Sequence, residues 1–122
     1  MENKLAVLKT IRSLNSLKNW LVDAGLVEKV LEQIEKDFAQ FGLSVDIHAD
    51  DIIETMQRHV DNLLHTNYQQ LQNLLYRIDI HEKKMIELQQ LEVAMPERDV
   101  ITLLIIQREA EKVFFKEFYK TR

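Results

Sequence analysis

His48, His59, His65 and His81 are the side chains of this 122-residue chain best suited to metal or acid–base chemistry. A carboxylate-bridged metal pair in a helical bundle needs a Glu three residues before a His, so that both side chains reach one ion. Val45, Met56, Asn62 and Ile78 stand at those positions. A zinc-protease helix needs two His one turn apart, with Glu directly after the first. His81-Glu82 begins that motif, but Met85 occupies the place of the second imidazole. Asp61 and His65 are one turn apart, and they read as the end of a solvated ladder Glu54–Arg58–Asp61–His65. The acidic stretch 46–51 has no glycine for the sharp turn of a calcium loop.

Nucleophilic and phosphate chemistry find no better support. The chain has no cysteine, which removes thiol catalysis, disulfides and thiolate metal sites. Ser13, Ser16 and Ser44 lack the flanking glycines of a nucleophile elbow. Gly25 and Gly42 are too far apart to form one phosphate-cradling loop. No catalytic residue, cofactor or metal is expected.

Three groups of residues remain. Arg77 and Asp79 flank an expected helix break, and Arg108 and Glu111 fall toward the apolar side of the last helix. If the break packs there, the four form a partly buried charged cluster that specifies geometry. The weaker readings are four solvated side chains or a pocket for an anionic ligand. Asn67 lies near the centre of an otherwise apolar helix face, where an Asn can fix register or oligomeric state. Near the end of the chain, Phe114, Phe115, Phe118 and Tyr119 interleave with Lys112, Lys116 and Lys120. That reads as a core stripe with a solvated back. The aromatic excess makes Phe115, Phe118 and Tyr119 candidates for a dimer contact, with Asn67 and the stray Tyr76.

Positioning these residues falls to helices. Only three of 122 residues are Gly or Pro, where ordinary usage is roughly 12%. Sheet folds consume those residues in tight turns, so long helices with few connections are expected. Apolar residues recur at three- and four-residue steps over 4–22, 26–41 and 49–77. Gly25 and Gly42 suit the ends of the first two. The alternating Leu43, Val45 and Ile47 suggest a loop laid extended across the core. Asp79 with Glu82 resembles a capping box opening a fourth helix over 80–94. Pro96 precedes a fifth over 97–120, whose run Leu103–Ile106 is apolar all round and must be enclosed. The expectation is an all-α, antiparallel bundle of four to five helices in a single domain, 1–122. Its one long central helix is expected at 49–77.

Charge bounds the partners. Residues 1–22 carry a net +3, residues 23–61 a net −7 and the remainder zero. An acidic middle does not suit a phosphate backbone, so nucleic acid is not an expected partner. The longest strictly apolar run has four residues, far below the roughly 20 of a membrane span. Glu2, Lys9 and Arg12 do not fit a secretory leader, and a cytoplasmic location is expected. These residues point to a non-catalytic helical interaction or structural module that associates with itself as a homodimer. The alternatives are a helical-bundle enzyme or small-ligand binder using scattered Glu, Asp, His and Arg, and a weak membrane-surface or nucleic-acid binder acting through the basic final helix.

Overall fold

The computed structural model describes residues 2–119. All regular structure among them is helical: α1 (Glu2–Thr10), α2 (Leu14–Ala24), α3 (Val27–Ala39), α4 (Ile52–Thr66), α5 (Tyr68–Arg77), α6 (Glu82–Leu91) and α7 (Glu97–Tyr119). A single 3₁₀ turn, Ala49–Asp51, leads into α4. The seven helices pack into one bundle around α7, which contacts α1, α2, α3, α4 and α6.

The long central helix is therefore α7, not the 49–77 segment. Its 23 residues make it the longest element, and every residue from Val100 to Gln107 is buried. Enclosure on all sides is what a stretch without a polar face requires. Phe38 from α3, Met56 from α4 and Leu74 from α5 share the core with Phe114 of α7, all at most 1% exposed.

Two of the expected long helices are broken, each by a capping side chain. The 4–22 segment turns at Ser13, whose extended backbone opens α2 and whose hydroxyl accepts from the Ser16 N–H at 3.1 Å. Trp20 ties the two pieces together, its indole N–H donating to the Lys4 carbonyl at 2.9 Å. The 49–77 segment turns at Asn67, whose side-chain oxygen accepts from the Gln70 N–H at 3.1 Å and caps α5. Ser and Asn satisfy the orphan N–H groups of a new helix. In both cases the helices on either side turn their apolar stripes to the same core, so the periodicity runs on through the break.

Three closures share one geometry. At Gly25, Gly42 and Asp79 the backbone is left-handed, with φ of 68°, 70° and 69°. At each, the next residue's N–H reaches back five residues while the left-handed residue's own N–H reaches back three: Leu26 to Leu21 with Gly25 to Val22, Leu43 to Phe38 with Gly42 to Ala39, and Ile80 to Leu75 with Asp79 to Tyr76. This is the Schellman closure. Asp79 thus ends α5 and does not cap α6, which begins after His81. Between α3 and α4, Ile47 is buried and Leu43 and Val45 are half-buried, so that loop does lie extended across the core.

Candidate functional site

Three of the four residues expected to cluster, Arg108, Asp79 and Glu111, come together. The Arg108 Nε donates to the Ile78 carbonyl at 3.2 Å, at the turn that ends α5. Nη1 lies 3.5 Å from a Glu111 oxygen, and Nη2 lies 3.6 Å from Asp79. His81 adds a contact to Asp79 at 3.1 Å. Arg77 is exposed, away from this group. The cluster clamps the α5–α6 turn onto α7. A cavity of about 230 Å³ opens beside it, lined by His81, Lys84, Leu104 and Arg108 among others. The guanidinium already faces two carboxylates, so little charge is left to draw an anion.

A second polar group, unforeseen in the sequence, joins α3 to α7. Lys112 bonds Asp37 at 2.9 Å, Lys116 donates to Gln33 at 2.5 Å, and Gln33 donates to Asp37 at 3.1 Å. Glu109 is fully buried beside them. No donor group bonds either of its carboxyl oxygens, and the Lys112 ammonium stands 3.8 Å away; its hydrogen-bonding neighbour is the Asp37 carboxyl, which it reaches by carrying the proton itself. Burial, reinforced by the Asp37 carboxyl, raises the Glu109 pKa to about 9. Glu109 is therefore a neutral acid at pH 7. Burial pushes the Asp37 pKa up, but contacts with Glu109, Lys112 and Gln33 outweigh it and hold that carboxyl below its ordinary value. A neutral acid beside a carboxylate is a pairing that enzymes use. Here the acid is completely enclosed, out of reach of any dissolved substrate. Its position amid apolar α7 residues was a usable signal, but its i,i+3 partner Lys112 made it resemble a solvated pair.

The histidines do not converge. His59 accepts from the Asp46 N–H at 3.3 Å and pins the 43–48 segment to α4. Burial, then the Arg58 charge, lowers its pKa and favours this neutral acceptor. His48, His65 and His81 are exposed. No group of three His, Asp or Glu among the described residues is placed to hold a metal ion.

The basic end of α7 is largely committed within the fold. Lys112 and Lys116 bond α3 as above, and Lys29 pairs with Glu117. Lys120 lies outside the described residues. Phe118 packs back on Phe114, with ring centroids 4.5 Å apart. Phe115 is exposed and lies 5.4 Å from the half-buried Tyr119 ring. Asn67 is exposed, and its side-chain oxygen caps α5 rather than packing in the core of this chain.

The most exposed apolar surface lies elsewhere. Of eight large hydrophobic residues left exposed among the described residues, five fall in α5, α6 and the segment just after: Tyr68, Tyr76, Ile86, Leu91 and Val93. Tyr76 is 85% exposed and Val93 86%. A groove of about 230 Å³ runs between α5 and α6, with Leu71, Leu75, Ile80 and Met85 in its lining and Tyr68 and Tyr76 beside them. Only Leu88 of the ten α6 residues is buried. Sequence reasoning singled out Tyr76 but not Ile86, Leu91 or Val93, because the apolar residues of α6 scatter around its wheel.

No protein-family model matches the chain, and no curated protein or solved structure is significantly similar to it. Its own geometry is the basis for a functional reading.

Proposed function

We propose that this chain is a non-catalytic helical interaction module that associates with itself as a homodimer through the α5–α6 face. The observation that carries the reading is the exposure of Tyr68, Tyr76, Ile86, Leu91 and Val93 within and just after α5 and α6, with Tyr68 and Tyr76 lining the groove between those helices. Single exposed apolar residues are ordinary, but a cluster beside a groove marks an interaction surface. Aromatic residues such as Tyr68 and Tyr76 are enriched in the cores of such surfaces. The enclosure of Glu109 and the scatter of the histidines favour this reading over catalysis. We place the module in the cytoplasm, in keeping with a cysteine-free chain. No helix among the described residues is long and apolar enough to cross a membrane.

Light scattering across a concentration series tests the proposal. The mass should rise from 14.5 kDa toward twice that value. Tyr76→Ser should weaken the rise without moving the thermal midpoint, because the ring is exposed in the folded chain. A mass fixed at the monomer value through millimolar concentration would remove self-association.

A further inference from the structure

The basic first segment of the chain carries charge that the fold does not cancel. Among the described residues, none of Lys4, Lys9, Arg12 and Lys18 forms an ion pair. Lys18 reaches only the Asp50 carbonyl, at 3.4 Å. Lys9 and Arg12 stand at the turn from α1 to α2 and line one wall of a cleft of about 370 Å³. α6 supplies the opposite wall. Lys84, Leu88 and Leu91 recur there at four- and three-residue steps, on one side of the helix, with Glu87 beside them. Leu103 and Leu104 of α7 close the floor, at most 3% exposed. The α5–α6 groove is separate and meets α6 at Glu82 and Met85.

Gln107 of α7 sets the position of the first wall. Its amide donates to the Leu8 and Ile11 carbonyls at 2.7 and 3.2 Å, on either side of Lys9 and next to Arg12. The Thr10 hydroxyl donates to the Val7 carbonyl at 2.8 Å. Carbonyls at a helix end draw cations, and these three are already engaged. Lys9, Arg12 and Lys84 are exposed, so the rim carries three cations against the one carboxylate of Glu87. Between them Leu91, 58% exposed, and the half-buried Ile11 offer apolar surface. An apolar recess of this size with a few converging polar groups is the pattern of a small-ligand site.

We propose that this cleft binds an alkyl carboxylate, with the chain laid against Ile11, Leu88 and Leu91 and the carboxylate held by Arg12, Lys9 and Lys84. The binding does not depend on the self-association proposed above. The three cations come from two distant parts of the sequence and meet only across the cleft. An anion without a chain would leave the apolar surface in water. A chain without a charge would leave the cations without a counter-charge. The guanidinium of Arg12 is a planar fork of donors that matches a carboxylate. The methylene stems of Lys9 and Lys84 add apolar contact along the walls. Walls on two sides and a closed floor suit one free molecule better than the flat surface of a bilayer.

Titration calorimetry of the whole chain with sodium octanoate tests the site. Octanoate should saturate a single site in the millimolar range or below. Affinity should rise from butyrate to octanoate by at most about fourfold per methylene. The neutral 1-octanol should bind roughly tenfold more weakly than octanoate, for want of charge-assisted bonds. The double variant Arg12→Gln with Lys84→Gln changes two exposed side chains and should fold as the parent does by circular dichroism. It should bind octanoate roughly tenfold more weakly and octanol as before. In the parent, octanoate should shift the amide resonances of residues 8–12 and 84–91 and leave those of 68–78 in place. Octanol binding as tightly as octanoate, or octanoate binding unchanged in the double variant, would overturn anion recognition here. Failure of octanoate to saturate through tens of millimolar would overturn the site altogether. Capture of the chain by phosphatidylglycerol vesicles, without octanoate saturation, would make the cleft part of a membrane surface and overturn the proposal as well.

Discussion

Replacing Glu109 by Gln should change how stability depends on pH. In the folded chain this carboxyl is fully buried on α7, with Asp37 and Lys112 beside it, and its pKa is about 9. The unfolded chain returns it to 4.5. Between those values the folded state keeps a proton that the unfolded state releases. The stabilisation linked to that proton is complete below pH 4.5 and is lost as pH rises toward 9. Each pH unit in that window is worth about 1.4 kcal/mol, so keeping Glu109 neutral at pH 7 sets about 3 kcal/mol against folding, relative to its value below pH 4.5. Gln has nearly the same shape, does not titrate, and can donate to Asp37. Urea unfolding followed by Trp20 fluorescence, at several pH values from 5 to 8.5, would measure the effect. The variant's advantage over the parent should grow by about 1.4 kcal/mol per pH unit. His59 and Asp37 work in the opposite direction: their lowered pKa values stabilise the fold at higher pH, and that stabilisation is lost as pH falls through the folded values. Asp37 contacts Glu109, but with its pKa below 3.8 it stays ionised in folded and unfolded chains across pH 5 to 8.5, and His59 is common to both proteins, so the difference isolates Glu109. A difference that stays flat with pH would refute the account of a buried neutral acid.

Other substitutions probe the closures and caps. Asp79→Ala should lower stability by about 1 kcal/mol because its backbone is left-handed, and Asp79→Gly should be more stable than Asp79→Ala by a similar amount; equal melting points would argue against that strain. The buried Gln107 amide donates to the Leu8 and Ile11 carbonyls at 2.7 and 3.2 Å. Gln107→Leu should therefore cost about 1–3 kcal/mol in urea unfolding, by taking the donor from the Ile11 carbonyl and leaving the Leu8 carbonyl with the Ile11 N–H at 3.3 Å. Asn67→Ala should cost about 1 kcal/mol as a lost cap and leave the mass in solution unchanged; a changed mass would restore Asn67 to an interface.

Much of the backbone punctuation was legible in the sequence. Gly25 and Gly42 end α2 and α3, and Pro96 precedes α7, because those residues have conformations that few others share. The enclosure of α7 was legible too, since Leu103–Ile106 offers no polar face. The breaks at Ser13 and Asn67 were not. Both residues cap through a side-chain oxygen, and the apolar stripe resumes in phase after each. Asp79 misled for a related reason: an Asp before a helix usually reads as a cap, and its left-handed closure of α5 becomes visible only from the backbone. Glu109 was hidden by ordinary spacing, because only the position of α3 places Asp37 beside it. The α6 face escaped because its apolar residues form no single stripe: Leu88 turns inward while Ile86, Leu91 and Val93 turn out.

The most direct test of self-association through the α5–α6 face is amide hydrogen exchange at low and high protein concentration. Dimer formation there should slow exchange as concentration rises, within residues 68–93, centred on α6, while the α7 end at Phe115 to Tyr119 stays unchanged. Exchange that does not depend on concentration in 68–93, or protection gained only at the α7 end, would contradict it.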